Sequence, residues 1–262
     1  MRLGWAAALL LLVGPALATD IALPPAGGQY DPQLAGAYAP SAGTTIVSRD
    51  RSNPPFKGGY SICYVNAFQT QPQEAAWWKA NHPDLLLKQR SGNWLEDTNW
   101  PGEILLDTST ATKRAALTAI VGAWIDQCAQ DGFSAIEADN LDTYSRSDGA
   151  LTIAENLAFA ESLIDRAHAL GLAFGQKNGA ELGQRGRDIG FDFAIVESCQ
   201  TYDECDAYTG PYGRHVLEIE YTDTPAPDFI TACAIRGRQI SVIRRDRGLS
   251  MPGNAAYFYE HC

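Results

Sequence analysis

Along the chain one pattern recurs: a short run of apolar or β-branched residues ends abruptly in polar ones. Residues 44–47 lead into Ser48-Arg49-Asp50, residues 60–65 into Asn66, and residues 104–106 into Asp107. Residues 133–136 lead into Glu137 and Asp139, residues 172–174 into Gln176-Lys177-Asn178, and residues 193–196 into Glu197. Residues 216–219 lead into Glu220-Tyr221, and residues 240–243 into Arg244-Arg245-Asp246. Bounded runs of this length predict eight strands. Helical patterns fall between several of them. Residues 112–130 are rich in Ala and Leu, carry Leu117, Ile120, Val121, Trp124, Ile125 and Cys128 near helical spacing, and stop at Asp131-Gly132. Thr152-Ile153-Ala154-Glu155 has the spacing of a capping box. Leu157, Ala160, Leu163, Ile164 and Ala167 then share one face, and Gly171 is placed for a C-terminal cap. A further helix is expected over residues 227–236.

Strands alternating with helices imply parallel strands joined by crossovers. Eight of them predict an α/β fold, a closed (β/α)8 TIM barrel in a single domain over residues 44–262. Residues 19–43, rich in Pro, Gly and Ala, are expected to form an irregular N-terminal arm. Only a Pro-rich linker, residues 52–59, separates the first two predicted strands, so a helix there is missing or displaced. An open doubly wound sheet is the alternative. With no GxGxxG after a strand and no Walker motif, a nucleotide-binding fold has little support.

Residues 1–18, MRLGWAAALLLLVGPALA, carry one basic residue, an apolar run and then Ala16-Leu17-Ala18, the pattern of a secretory signal peptide. The apolar run is too short to span a bilayer. The expected mature chain is therefore secreted, extracellular or periplasmic, with no stable membrane insertion. Acidic residues number 31 against 20 basic, a net charge of −11, which argues against nucleic acid as a partner. An acidic surface instead attracts a cationic ligand. The six cysteines, an even count in an exported chain, suggest disulfides. Cys199 and Cys205 are close enough for a local clip, and the other pairings stay open. Zinc is the weaker reading, since no CxxC pair is present and the four histidines are scattered. No cofactor is expected, and a monomer is.

In a barrel the C-terminal strand ends share one face, and the site is built there. That face would collect Asp50, Asn66, Asp107, Glu137, Asp139, Lys177, Asn178, Glu197, Glu220 and Asp246. Any exposed rim is polar, but carboxylates crowded together repel one another. Such crowding points to proton transfer, cation binding or the binding of sugar hydroxyls. Trp77, Trp78, Trp94, Trp100, Tyr64, Tyr144 and Tyr221 lie in or just beyond strand ends and long loops. Singly, large aromatics pack more often than they bind; beside a carboxylate rim they favour a saccharide cleft. Two carboxylates flanking a bond are what glycoside hydrolysis requires. Asp139, Asn140 and Asp142 also suggest a calcium cluster, though without the EF-hand frame.

The stretch GFSAIEADNLDTY, residues 132–144, resembles the GFD-x-(V/I)-EPDN-x-D-x-Y signature of glycoside hydrolase family 114, the endo-α-1,4-polygalactosaminidase family. SICYVNA, GQKN, FDFAIVESCQTYDECDAY and EIEYTD resemble further motifs of that family, in the same order along most of the chain. Ala138 departs from the family's usual Pro, a position that shapes a turn and carries no chemistry. The resemblance implies a TIM barrel, a secreted or surface location and endo cleavage of α-1,4-linked galactosamine polymers, with the polysaccharide as the partner. Carried onto this sequence, the signature makes Asp139 and Glu197 the catalytic pair, at the ends of the fourth and sixth predicted strands. A retaining mechanism follows, with Asp139 as nucleophile and Glu197 as acid/base, and Glu220 as the alternative acid. Asp50, Tyr64, Asn66, Asp107, Glu137, Asn140, Asp142, Tyr144, Lys177, Asn178, Glu220 and Tyr221 are the expected substrate-binding residues. Asp107, Glu137, Asp142 and Glu220 are expected to pair with substrate amines. Lys177 either holds Asp139 ionised or forms a structural pair with Glu137. The alternatives are another α-glycosidase on the same barrel or a non-catalytic carbohydrate-binding barrel.

Overall fold

A computed structural model describes residues 21–262; the expected signal peptide lies outside the described residues. One sheet carries nine strands in sequential order. They are β1 (Gln29–Gln33), β2 (Thr44–Asp50), β3 (Tyr60–Asn66), β4 (Ala135–Asp139), β5 (Ala173–Lys177), β6 (Phe193–Glu197), β7 (Val216–Tyr221), β8 (Ser241–Arg245) and β9 (Tyr259–His261). Strands β1 to β8 pair in parallel, and β9 runs antiparallel on β8. The sheet curls into a nearly closed TIM barrel. Its seam between β1 and β8 is bridged by Arg245, which donates to Asp31 (3.0 Å) and to the Pro32 carbonyl (2.7 Å).

Two strand expectations need correction. Within the arm expected to be irregular, residues 29–33 supply β1, the first barrel strand. Residues 104–106 are not a barrel strand at all. They make isolated antiparallel bridges with Gln69, Leu86 and Glu96, inside a long excursion between β3 and the next major helix. An apolar run of three residues has the same pattern in either setting, so periodicity cannot separate them.

Alternation along the strands sorts the core into two layers. Ile46, Ile62, Ala135, Ala173, Phe193, Ile195, Leu217, Ile219 and Ile243 fill the barrel interior. The residues between them, such as Val65, Ile136, Phe174, Ala194 and Val196, face outward against the helices. Those are α1 (Ala75–Asn81), α2 (Ala111–Asp131), α3 (Ile153–Ala169), α4 (Gln184–Asp188), α5 (Asp206–Tyr212) and α6 (Ala226–Arg236). Helix α2 starts where the Thr110 hydroxyl accepts from the Lys113 amide, and it ends at Gly132, whose φ of 92° suits a residue without Cβ. The capping box of α3 is present in both directions: the Glu155 amide donates to the Thr152 hydroxyl, and the Thr152 amide to the Glu155 carboxylate. Its predicted face from Leu157 to Ala167 is buried. Between β2 and β3 there is no helix, only a short turn-rich link.

Three disulfides join Cys63 to Cys128, Cys199 to Cys205, and Cys233 to Cys262. The local clip is the expected one. The first ties β3 to α2, and the last ties α6 to the chain's final residue. Among the described residues no helix is long and apolar enough to cross a membrane.

Candidate active site

Period-two alternation points Glu137 and Asp139 of β4 to the same side, together with Lys177 of β5 and Glu197 of β6. The four meet at the C-terminal end of the barrel interior. Glu137 and Lys177 lie deepest, 1% and 4% exposed. The Lys177 ammonium is 3.1 Å from Glu137, 3.3 Å from Asp139 and 3.9 Å from Glu197. Lys177 thus pairs with Glu137 and with Asp139 at once. The contacting oxygens of Asp139 and Glu197 lie no farther apart than 3.3 and 3.9 Å laid end to end. That ceiling falls within the range for glycosidase carboxyl pairs, roughly 5–9.5 Å, which spans retaining and inverting geometries.

Each carboxylate has its own polar partners. The Tyr64 hydroxyl donates to Asp139 Oδ2 (2.7 Å) and the Asn140 amide to Oδ1 (2.9 Å). Burial raises the Asp139 pKa, but the Lys177 charge, the Tyr64 hydroxyl and the Asn140 amide outweigh it and hold the group below the ordinary aspartate value. Glu197 accepts from the Tyr221 hydroxyl and from Asn178 Nδ2 (2.8 Å), while its own amide donates to Asn178 Oδ1 (2.9 Å). Glu137 accepts from the Ser48 hydroxyl and from Lys177. Burial pushes its pKa up, against the pull of Lys177. Three carboxylates around one ammonium leave this end of the interior negative when all are ionised.

The residues that follow Asp139, Lys177 and Glu197 are Asn140, Asn178 and Ser198. All three have left-handed backbones, with φ of 66°, 50° and 56°. Non-glycine residues seldom adopt this conformation. Three adjacent strands therefore turn sharply just beyond their last inward side chain, leaving Asp139, Lys177 and Glu197 at the floor of a cleft of about 930 Å³.

Residues of the excursion 67–110 and of the β6–α5 and β8–β9 loops line the cleft above that floor. Of the expected binding residues, Asp50, Tyr64, Asn140, Asp142, Lys177, Asn178 and Tyr221 line it. Five expected binding residues do not. Asn66 sits behind the surface, donating to Glu103 and accepting from Asn140. Glu137 lies beneath Lys177. Asp107 turns to Ser109 and Lys113 at the start of α2, because the excursion carries it away from the barrel rim. Tyr144 donates to Glu181 and packs beside Leu151. Glu220 points outward from β7 under the Cys199–Cys205 loop, where it accepts from the Gln200 amide (3.0 Å) and the Thr201 hydroxyl (3.1 Å). That orientation removes it as the alternative acid, because the inward position beside it is Tyr221. Asp142 pairs with Arg146 while Asp139 pairs with Lys177, so the suggested calcium trio is split between two cations. Of the aromatics, Trp100 lines the cleft and is 51% exposed, whereas Trp78 is fully buried.

Several cleft residues lie outside the set expected from the sequence. Arg146 joins Asp97 and Asp142 at 2.7 Å each. Arg247 pairs with Asp223 and lies 3.8 Å over the Tyr221 ring. Tyr202, 69% exposed, comes from the clipped loop. Arg146 ends a short 3-10 helix, Leu141–Arg146, and the other two sit in loops, none of them in a periodic stretch. For Tyr202 a signal was available, since it lies inside the Cys199–Cys205 clip directly after Glu197.

The family model described as glycoside-hydrolase family GH114 matches residues 14–262. No curated protein matches the chain in sequence. Among solved structures, that of Aspergillus fumigatus Ega3 in complex with galactosamine is similar at a TM-score of 0.75 and 23% identity, covering 93% of this chain and 98% of that one. The glycoside hydrolase domain of PelA from Pseudomonas aeruginosa is similar at a TM-score of 0.58 and 14% identity, covering 87% of this chain and 98% of that one. At these identities the likeness is one of fold.

Proposed function

The chain belongs to glycoside hydrolase family GH114, and from that premise we propose that this glycoside hydrolase cleaves α-1,4-linked galactosamine polymers, endo-acting and with retention, outside the cell or in the periplasm. The observation that carries the reading is the Asp139–Glu197 pair held over one lysine. Asp139 is the nucleophile. Lys177, Tyr64 and the Asn140 amide favour its ionised form, the state that attacks an anomeric carbon. Glu197 is the acid/base. As Asp139 forms a bond to the anomeric carbon, Glu197 gives its proton to the departing glycosidic oxygen. In the second step Glu197 takes a proton from water, the water oxygen bonds to the anomeric carbon, and the Asp139 ester is released.

A galactosamine substrate is supported by the acidic surface and by the likeness to a structure that holds galactosamine. Endo action is supported by a cleft near the top of the usual pocket range, roughly 300–1,000 Å³, which exceeds the needs of a single sugar ring. Export is supported by the leader pattern and by three disulfides.

The test is a digestion of partly de-N-acetylated α-1,4-galactosaminan by the wild type, Asp139→Asn and Glu197→Gln, with products read by mass spectrometry. The expected result is oligomers of mixed length from the wild type and a loss of at least about 10²-fold in each variant. Release of single sugars alone would overturn endo action. A polymer that binds and is never cut would favour the carbohydrate-binding barrel, and cutting of a different α-glycan alone would favour another glycosidase.

A further inference from the structure

An amine-bearing sugar needs an anion whose charge is not already spent on the protein's own cations. Most carboxylates in the cleft are spent. Asp97 and Asp142 pair with Arg146, Asp139 and Glu197 share Lys177, and Asp223 holds Arg247. Asp50 has no cationic partner among the described residues, but both of its oxygens are taken, one by Ser52 and the other by Gln71 (2.6 Å). Glu103 is different. Its Oε2 accepts from Asn66 Nδ2 (2.8 Å) and Gln69 Nε2 (3.0 Å), while Oε1 has no partner among the described residues. Glu103 lines the cleft and forms no ion pair with a described residue.

Its position is fixed from two directions. A chain of amides runs to it from the catalytic loop. Arg146 donates to Asn140 Oδ1 (3.0 Å), Asn140 Nδ2 to Asn66 Oδ1 (2.9 Å), and Asn66 Nδ2 to Glu103. Each amide accepts on one side and donates on the other, so the chain has one direction, and it ends on the carboxylate. Asn140 directly follows Asp139, which ties Glu103 to the reacting end of the cleft. From the other side, Trp100-Pro101-Gly102-Glu103 forms a turn closed by the Glu103 amide on the Trp100 carbonyl (3.1 Å). Pro at its second position and Gly102, with φ of 91°, at its third give the type II pattern. One turn thus brings an exposed indole and an unpaired carboxylate to the same cleft wall. An aminosugar has the matching pair of features, an apolar ring face and an ammonium on the ring edge.

We propose that Glu103 is a specificity-determining residue of the hydrolase, receiving the ammonium of a galactosamine unit bound near Asp139 while Trp100 covers the ring face. The inference rests on the galactosamine reading of the site. Glu103 selects the free amine over the N-acetyl form, because an acetamide is neutral and cannot complete the ion pair. Burial raises the Glu103 pKa against the pull of Gln69 and Asn66, with Asp139 and Asp97 raising it further, so an arriving ammonium relieves an existing penalty.

The test uses a partly N-acetylated galactosaminan, the wild type, Glu103→Gln and Glu103→Asp. Gln keeps an oxygen for Asn66 and Gln69 and removes the charge. Tandem mass spectrometry of the products gives the ratio of free amine to N-acetyl at each position flanking the cut. The wild type is expected to enrich free amine at one fixed position. Glu103→Gln lowers that enrichment roughly tenfold to a hundredfold, the range for a charge-assisted contact, and leaves the other positions unchanged, while Glu103→Asp keeps part of it. A wild-type ratio that survives in Glu103→Gln overturns the inference alone. So does slower cutting with unchanged ratios, which would mark Glu103 as a loop support. If Glu103→Gln cuts nothing, calorimetry of the folded variant with a galactosamine oligomer and its N-acetylated counterpart reads the same preference, and the inference stands only if that preference is lost. A wild type that leaves the polymer uncut overturns the substrate reading and this inference together.

Discussion

Lys177 orders the charges around it by distance, with Glu137 nearest, Asp139 next and Glu197 last. Burial alone would raise the Asp139 pKa, and the ammonium is the largest influence acting the other way. Lys177→Met therefore raises the Asp139 pKa. The proposed nucleophile must be ionised to attack, so on that proposal the acid limb of kcat/KM is expected to move to higher pH, by about one unit or more. A pH profile of folded Lys177→Met with an unmoved acid limb would refute this role. The variant is also expected to lose roughly 3–5 kcal/mol of stability, because it leaves buried carboxylates unpaired. Glu220, outside the cleft, has a different consequence. Burial first, with Glu218 and Asp228 adding to it and the Gln200 amide and Thr201 hydroxyl opposing, pushes it up to about 7. Its unfolded value is about 4.3. Between these values the folded state holds more protons than the unfolded one, so this group's contribution falls as pH rises through that window. Glu220→Gln should thus gain stability relative to the wild type on going from pH 5 to pH 8, as read by urea unfolding at both. A difference independent of pH would contradict the assignment.

The strand ends combine function with local strain. Asn140, Asn178 and Ser198 occupy left-handed backbone immediately after the three residues that meet in the cleft. Asn tolerates this conformation better than most residues. Ser198 does not share that advantage, and its buried hydroxyl has no hydrogen-bond partner among the described residues. Ser198→Gly removes both penalties and is expected to raise stability by about 1 kcal/mol in thermal or denaturant unfolding. A loss of stability would show that the hydroxyl or the stiffness of Ser supports the turn. The elements the sequence revealed are those whose signals are local: the capping box at Thr152, the glycine stop at Gly132 and the apolar runs ending in Asp139 and Glu197. β1 was hidden because its pattern, QYDPQ, is polar and contains a proline. Asp31 is satisfied by Arg245 and Tyr38, and Gln33 by contacts with Arg49 and Tyr38, and of these Arg245 comes from the far end of the barrel, 214 residues away. Pro32 is tolerated because β1 pairs with β2 on one side only. The cleft walls were hidden for a related reason. Glu103, Arg146 and Arg247 act through contacts between loops, which leave no period in the sequence. Asp107 and Glu220 show the converse, since a polar residue ending an apolar run can face away from the cleft.

The molecule as a whole carries a net charge of −11, and its cleft gathers carboxylates around few cations. A polycationic substrate is therefore drawn in by the field of the protein, a contribution that salt screens over about 8–10 Å near physiological ionic strength. The expected outcome is that kcat/KM on de-N-acetylated galactosaminan falls severalfold or more, about 3–10-fold, as salt rises from low to high concentration. Activity on a highly N-acetylated polymer should change little. Equal salt response for the two polymers would remove steering from the account. The central claim of the proposal is that Asp139 and Glu197 hydrolyse an α-galactosaminide in two displacements. Proton NMR of the anomeric region, recorded from the first minutes of digestion, tests it most directly. The account predicts an α-anomeric reducing end as the first-formed signal, with the β anomer growing in only by mutarotation and neither appearing with Glu197→Gln. A β anomer formed first, or no new reducing end from the wild type, would contradict it.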